Sequence, residues 1–180
     1  MQAKASKGLN VKIIFVDGYN VINSWPELKK IKDYSLESSR KKLTEILQNY
    51  SIYKGHKIFL VFDAHMVDKS IEKKERHGEN LVIVFTKEGE TADGYIEKRV
   101  NNIGRKKDVC VVTSDSMEQQ VIFQRGGIRM SSLEFYYEIK SAESKIKNEI
   151  QGNTIIRKDL IEDRLDGNIL EEFLKIRKSN

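Results

Sequence analysis

The chain has 180 residues, enough for one domain that buries its own hydrophobic core without a disulfide or a structural zinc ion. Charged residues make up 33% of the chain and the formal net charge is +5, a moderate excess that indicates a polyanionic partner. No apolar run reaches the ~20 residues that a membrane span requires, and residues 1–10 lack the hydrophobic segment of a secretory signal. The single cysteine, Cys110, cannot form an intramolecular disulfide and fits a reducing compartment.

The distribution of polar and apolar segments divides the chain into three parts. We expect a disordered arm over residues 1–10, a domain over 11–140, and a polar helical extension over 141–180. Glycines at 152 and 167 are expected to interrupt the helix of the extension.

Short apolar runs bounded by turn signals predict five strands, at about 11–17, 57–62, 81–86, 108–113 and 128–130. The first four runs are apolar on both faces, which is typical of parallel strands in a buried sheet. Helical patterns lie between them, so we predict an α/β fold with a central parallel sheet of about five strands and helices on both faces. Residues 66–80 are rich in charge and are predicted to form a long loop.

Capping residues predict where the helices begin and end. Ser35 and Thr91 are predicted N-caps, and Gly55 is a predicted C-terminal stop. The segment from Asp115 has the pattern of a capping box that opens a helix over 116–125. A last helix is predicted to be capped by Ser132 and to bury the side that carries Leu133, Tyr136, Tyr137 and Ile139.

Four aspartates follow the predicted strands. Asp17, Asp63 and Asp115 come directly after an apolar run, whereas Asp93 follows a glycine-containing loop and opens a helix. Parallel strands bring such residues to one edge of the sheet, where ligands bind in open α/β folds. Converging carboxylates repel each other unless cations hold them, and hard oxygen ligands favour Mg²⁺ or Mn²⁺. Each acid alone also fits a turn or a helix cap, so the metal-site prediction depends on the whole set.

Other side chains that carry oxygen lie near the predicted cluster. Asn20, Thr113 and Ser114 are neutral groups that can hold the carboxylates through hydrogen bonds, although each also fits a turn or a cap. Glu97 lies four residues after Asp93 on the same helix face, so the two can present carboxylates to one cation.

Basic and aromatic residues provide candidate contacts to a polyanion. The basic candidates are Lys73, Lys74 and Arg76 in the predicted loop that follows Asp63, and Arg105, Lys106 and Lys107 before the fourth strand. Tyr19, Trp25 and Tyr95 are aromatic residues near the acidic edge that can stack on a base, although Trp25 beside Pro26 also fits a packing role. A solvated surface of mixed charge is the alternative interpretation of each basic cluster.

Motifs of several other classes are missing. The chain has no Gly-x-x-x-x-Gly-Lys-Ser/Thr loop and no Gly-x-Gly-x-x-Gly after the first strand, so we expect no nucleotide cofactor. It also has no Gly-x-Ser-x-Gly elbow of a serine hydrolase. A phosphatase that forms an aspartyl-phosphate would be expected to carry an acid where Tyr19 stands.

Four segments occur in the order found in one known family. They are Val-Asp-Gly-Tyr-Asn-Val-Ile at 16–22, Phe-Asp-Ala-His at 62–65, the segment 85–93 that ends in Glu-Thr-Ala-Asp, and Thr-Ser-Asp at 113–115. On these segments the chain resembles the NYN-domain proteins of the YacP type, a branch of the PIN-like nuclease superfamily, over about residues 11–140. The resemblance implies a three-layer PIN-like fold with a cluster of acids at the carboxyl edge of its sheet.

The resemblance also implies an activity. It points to an endoribonuclease dependent on Mg²⁺ or Mn²⁺ that cuts messenger RNA on the ribosome, in bacterial cytoplasm or plastid stroma. Matched motif by motif, Asp17, Asp93 and Asp115 are the implied metal ligands and catalytic acids, with Asp63 a further catalytic candidate. We also expect a monomer. Two alternatives stay open: an RNA- or ribosome-binding module of the same fold without turnover, and a small-molecule phosphohydrolase.

Overall fold

The structure, a computed structural model, describes residues 12–63, 73–104, 108–114 and 128–162, the stretch 152–162 as helix backbone only. The predicted arm over 1–10 and the helix predicted over 116–125 lie outside these ranges. Contacts divide the chain into two compact units, Met1–Lys140 and Ser141–Asn180. Within the described ranges, no helix combines the length and the apolar character needed to cross a bilayer.

In the described residues, one sheet contains the strands β1 (Ile13–Asp17), β2 (Lys57–Phe62), β3 (Lys73–His77), β4 (Leu81–Phe85), β5 (Val109–Val112) and β6 (Ile128–Met130). Their order is β3-β4-β2-β1-β5-β6, and every neighbouring pair is parallel except β3 with β4. From β1 the chain winds to one side through β2 and β4, then to the other side through β5 and β6. β1 therefore ends where the winding reverses, the place at which open α/β sheets bind ligands.

The helices in the described ranges are α1 (Gly18–Ser24), α2 (Pro26–Lys32), α3 (Leu36–Lys54), α4 (Ala92–Ile103) and α5 (Ser132–Glu162). The Ser35 hydroxyl accepts a hydrogen bond from the Ser38 N–H at 3.1 Å, and Gly55 ends α3 in the left-handed region with a φ of 66°. Thr91 caps α4 by accepting from the Gly94 N–H at 3.1 Å. The predicted ends of α3 and the predicted start of α4 are thus confirmed.

Alternate residues of the strands face opposite sides of the sheet, and helices cover both. Ile13 and Phe15 of β1 belong to a buried cluster that includes Ile96 and Val100 of α4. Ile14 and Val16 of β1, which face the other side of the sheet, are buried as well. Helices α1 and α3 also pack against the sheet. The predicted α/β fold with five parallel strands is confirmed.

A sixth strand, antiparallel to its neighbour, is the main difference from the expected fold. The loop prediction for residues 66–80 is wrong for 73–77, which form β3 and pair with β4 at the edge of the sheet. The strand contains Lys73, Lys74, Glu75, Arg76 and His77. Because none of these is apolar, no hydrophobic alternation marks the strand, and main-chain pairing with β4 defines it.

The start and the course of α5 also differ from the prediction. Its capping residue is Ser131 rather than Ser132. The Ser131 hydroxyl accepts from the Glu134 N–H at 3.2 Å, and the Glu134 carboxylate accepts from the Ser131 N–H at 2.7 Å, which is a reciprocal capping box. The helix continues through Gly152, so the predicted interruption there is wrong.

The buried side of α5 is shifted relative to the predicted stripe. Ile139 is buried as expected, and Tyr136 is half-buried. Leu133 and Tyr137 are 50% and 69% exposed, whereas Phe135, outside the predicted stripe, is 1% exposed. The prediction is therefore wrong for Leu133 and Tyr137.

Gly18, the first residue of α1, lies under the ring of Phe62. A Cβ at position 18 would be 2.2 Å from the Phe62 Cε1 atom, and this ring is 1% exposed and stacked on Phe85 with centroids 5.7 Å apart. Because the ring cannot withdraw, we expect Gly18→Ala to lower the free energy of unfolding by about 2–3 kcal/mol in urea denaturation.

Gly94→Ala is the matched control. A Cβ there would meet the Thr91 hydroxyl oxygen at 3.4 Å, an ordinary contact, and alanine favours a helix over glycine by about 0.5–1 kcal/mol. We expect this variant to be as stable as the parent or more stable. Equal stability of the parent and Gly18→Ala would show that the ring of Phe62 moves aside.

Candidate active site

Two aspartates from different elements meet beside the carboxyl end of β1. Asp17 is the last residue of β1, Asp93 lies in the first turn of α4, and their side chains are hydrogen-bonded to each other. Asp17 alternates with Ile13 and Phe15, so its side chain belongs to the sheet face that α4 covers. This hydrogen bond lowers the pKa of the Asp17 carboxyl, opposite to the effect of its burial.

Asp63, the residue after β2, adds a third acid to this region. Its negative charge raises the pKa of the Asp17 carboxyl, so the two lie within electrostatic reach. Its Oδ1 atom accepts a hydrogen bond from the backbone N–H of Ala92, the first residue of α4. This bond ties the end of β2 to the start of α4 and thereby positions Asp93. The catalytic role expected for Asp63 stays a prediction.

Burial is the largest influence on the protonation of Asp17, and it raises the pKa above the ordinary value of 3.8. Hydrogen bonds from the backbone N–H groups of Asn20 and Tyr19 lower the pKa, the first being the N-cap contact of α1 at 2.9 Å. Burial and the charge of Asp63 outweigh these hydrogen bonds, so the pKa of Asp17 is raised overall. Asp17 therefore holds its proton more tightly than a solvated aspartate does.

The Asn20 side chain joins three elements around this site. Its Oδ1 atom accepts from the Ser114 N–H at 3.2 Å and from the Ser132 hydroxyl at 2.7 Å. The indole N–H of Trp25 donates to the Ser132 backbone oxygen at 2.8 Å. Asn20 thereby fixes Ser114, the second residue after β5, and the first residue of α5 relative to α1.

The remaining candidates occupy different environments. Thr113 is fully buried, and Ser114 is exposed after β5. Glu97 is exposed on α4, one turn after Asp93. The expectation that Trp25 and Tyr95 can stack on a base is wrong, because they are core residues with 2% and 3% exposure.

A divalent cation fits the chemistry of the paired acids. Asp17 and Asp93 offer the hard carboxylate oxygens that Mg²⁺ and Mn²⁺ prefer, and a cation would offset the repulsion between their negative charges. The third predicted ligand, Asp115, lies outside the described residues, as do Arg105, Lys106 and Lys107. Among the residues that the structure describes, no group of three histidine, cysteine, aspartate or glutamate side chains is arranged to hold a metal ion. The described part of the chain thus supplies two of the three predicted ligands.

The basic residues of β3 are spread along the edge of the sheet. Lys73 pairs with Phe85, at the end of the sheet where the acids lie, whereas Arg76 pairs with Val82, toward the opposite end. The Lys73 Nζ atom is 2.7 Å from the Glu75 Oε1 atom. Of this predicted RNA-binding cluster, Lys73 is therefore the member nearest the acidic end.

Arg40 of α3 is a site residue that the sequence did not single out. Its Nη1 atom donates to the Tyr19 hydroxyl at 3.4 Å, and its Cζ atom lies 5.9 Å from the centroid of the Phe85 ring. The Tyr19 ring in turn packs on Phe62 with centroids 5.0 Å apart. In sequence, Arg40 is one of three consecutive basic residues. It differs from its two exposed neighbours only because the packing of α3 beside α1 half-buries it.

Comparison with known proteins agrees with this arrangement. A family model for the YacP-like NYN domain matches residues 14–178. The chain belongs to this family. The Bacillus subtilis (strain 168) protein described as uncharacterized protein YacP is 41% identical over 142 residues, which cover 77% of this chain and 81% of that protein.

Solved structures support the same assignment. The crystal structure of Rae1 (YacP) from Bacillus subtilis matches with a TM-score of 0.69 and 37% identity, covering 92% of this chain and 94% of that chain. A crystal structure of a mutant of the same Bacillus protein matches with a TM-score of 0.67 and 36% identity, covering 79% of this chain and 82% of that one. The resemblance inferred from sequence and the PIN-like NYN fold are confirmed. The YacP-like domain therefore belongs to a nuclease superfamily, which suggests RNA as its substrate and whose members typically use divalent metals.

Asp17→Asn tests the electrostatics of the acidic site through stability. Asparagine is an equally good N-cap, so the start of α1 is kept while the buried charge is removed. The pKa of Asp17 is higher in the native state than in the unfolded chain, so binding of the proton stabilises the fold. This stabilisation is complete below the pKa of the unfolded state, and it is lost as the pH rises through the raised pKa of the native state. Without cations, we expect the variant to melt a few degrees above the parent at about pH 8, with a smaller difference at about pH 4.

The same melting experiment reports cation binding. Mn²⁺ at 100 times its dissociation constant would stabilise the parent by about 2.7 kcal/mol, and the Asp17→Asn variant much less. Glu45→Gln removes an exposed carboxylate from α3 and serves as a charge-matched control that should respond to Mn²⁺ as the parent does. An equal Mn²⁺ response of the parent and Asp17→Asn would exclude Asp17 as a ligand.

Proposed function

We propose that this chain is a metal-dependent endoribonuclease that cleaves messenger RNA in association with the translating ribosome. Membership of a nuclease superfamily supports the reaction class. The observation that carries the proposal is the contact of the Asp17 and Asp93 carboxyl groups at the point where the winding of the sheet reverses. Two acids in contact destabilise a fold in which they have no further role, whereas a cation site requires them.

In this scheme the residues of the chain bind and position, and water is the nucleophile. Asp17 and Asp93, together with Asp115, would hold the divalent cation, while Asp63 keeps the start of α4 in place. When bound, the cation supplies positive charge for the phosphate and acidifies a water molecule. Water adds to phosphorus and the bond from phosphorus to the 3′ oxygen breaks, which leaves a 5′-phosphate and a 3′-hydroxyl. The scheme needs no covalent intermediate with the protein.

The partners follow from charge and family. A net charge of +5 favours association with RNA and with ribosomes, both of which are polyanions. The cytoplasm, or the stroma of a plastid, is the compartment in which these partners meet the chain. We propose that it acts there as a monomer.

A catalytically silent RNA- or ribosome-binding module is the second candidate. The observation that favours it is the net charge of +5, which suits binding of RNA whether or not the chain cleaves it. Such a module would bind the same RNA and leave it intact, so a cleavage assay separates the two.

Asp93→Asn tests the catalytic assignment. The substitution keeps the shape of the side chain and the Thr91 cap of α4, but it removes the charge needed to hold a cation. With labelled single-stranded RNA and Mg²⁺ or Mn²⁺, we expect cleavage to fall by about 10²–10³-fold, a loss typical of removing one charge-stabilising group. Binding of RNA should persist or tighten, because a negative charge near phosphate is lost.

The controls address metal dependence and the type of product. EDTA should abolish cleavage by the parent and added Mn²⁺ should restore it, and Glu45→Gln should cleave as the parent does. Mass spectrometry should find a 5′-phosphate on the downstream fragment. Equal cleavage by the parent and Asp93→Asn would refute the assignment, and intact RNA with every cation would favour the binding module. Co-sedimentation with ribosomes tests the proposed association separately.

A further inference from the structure

Arg40 carries a half-buried positive charge, and its side-chain contacts among the described residues are with neutral groups. They are the Tyr19 hydroxyl and the face of the Phe85 ring. Within the described residues, no carboxylate lies at ion-pair distance from its guanidinium. Partial burial of a charge without an anionic partner costs free energy. A guanidinium has five N–H donors, so the one donated to Tyr19 leaves donors for an anion.

The surroundings of Arg40 place this charge at the acidic end of the sheet. Phe62 and Phe85, the last residues of β2 and β4, stack on each other with centroids 5.7 Å apart. Tyr19 packs on the first ring and the Arg40 guanidinium lies over the second. Tyr19 follows Asp17 by two residues. The positive charge of Arg40 lowers the pKa of the Tyr19 hydroxyl and the negative charge of Asp63 raises it, so both groups lie near this hydroxyl. The Arg40 guanidinium, packed on stacked aromatic rings, thus lies at the same end of the sheet as Asp17 and Asp63.

We propose that Arg40 and Tyr19 form a phosphate-binding subsite, which holds a backbone phosphate of single-stranded RNA next to the bond that is cleaved. The identity of the ligand rests on the proposed function. A cluster of acids repels the strand that it must cut, so a fixed cation beside it is needed to hold the neighbouring phosphate. The planar guanidinium fork matches a phosphate with two parallel hydrogen bonds, and the stacked rings keep it oriented. The Tyr19 hydroxyl can donate to the same phosphate.

Binding measurements test the subsite without relying on catalysis. All variants are made in the Asp93→Asn background and titrated in EDTA, so that cleavage during the measurement is minimised. A short fluorescent single-stranded RNA is titrated over a range of salt concentrations. Arg40→Gln should weaken binding about tenfold and reduce the salt slope by about 0.7, the value for one phosphate contact to a single strand. Lys41→Gln removes the same charge from the next, exposed residue of α3 and should change the affinity less than about twofold.

Neutral methylphosphonate linkages locate the contact on the RNA. Placed one at a time along the oligonucleotide, they should weaken binding of the Arg40-containing protein strongly at one position, and Arg40→Gln should be insensitive at that position. Arg40→Lys keeps the charge and loses the fork, so it should retain the salt slope with an affinity reduced several-fold. Thermal unfolding of each variant verifies that it is folded.

Each outcome decides the subsite separately from the nuclease. If the chain cleaves RNA but Arg40→Gln and Arg40→Lys bind as Lys41→Gln does, the subsite is wrong and the nuclease stands. If the chain leaves RNA intact while Arg40→Gln abolishes the response to one methylphosphonate, the nuclease fails and the subsite stands. Should Arg40→Gln not fold, Arg40→Lys decides, because parental binding of every oligonucleotide by that variant would overturn the subsite.

Discussion

The contact between the carboxyl groups of Asp17 and Asp93 is the constraint on which the other features of the site depend. It brings like charges together, so the surrounding structure must hold the two elements in place and offset the repulsion. β1 is held on both sides by parallel pairing, Thr91 caps α4, and Asp63 bonds to the first N–H of that helix. Both acids lie at the start of a helix, where backbone N–H groups favour negative charge.

Charge at the edge of the sheet is divided between two neighbouring areas. The acids lie on the side that α4 covers, whereas Arg40 and Tyr19 lie over the rings of Phe62 and Phe85 on the side of α3. A strand of RNA crossing the edge would thus meet a cation site and then a fixed guanidinium. In the proposed function, this arrangement would allow a site rich in carboxylates to attract a polyanion. It also gives Phe62 two roles, since this ring seals the core above Gly18 and supports Tyr19.

Sequence patterns predicted the features that depend on local chemistry. The apolar runs that end in acids located β1 and β2, and Ser35 and Thr91 marked the helix starts because their capping bonds span only three residues. β3 was missed because strand prediction relies on apolar alternation, which a strand of charged residues lacks. Arg40 was missed because its place in the site depends on the contact with Tyr19. The two residues are 21 positions apart in sequence and meet only when α1 and α3 pack together.

The convergence of acids was predictable only in part. Parallel pairing accounts for the delivery of Asp17 and Asp63 to one edge, but the hydrogen bond of Asp17 with Asp93 depends on how α4 crosses the sheet. On α5, the pattern of apolar residues suggested a buried stripe that includes Leu133, whereas Phe135 is the residue that reaches the core. Apolar residues lie on more than one side of this helix, so the sequence pattern did not determine which side faces the core, and tertiary packing does.

The composition of β3 has a consequence for how molecules of this protein meet each other. An open sheet edge can recruit the edge of another molecule and seed aggregates. Here one outer strand carries lysines and an arginine, so a second copy approaching it would encounter mutual repulsion and poorly solvated ammonium groups. The opposite outer strand, β6, is three residues long and offers few unsatisfied backbone groups. Within the described strands, both borders of the sheet are therefore poor templates for intermolecular strand addition, which disfavours aggregation.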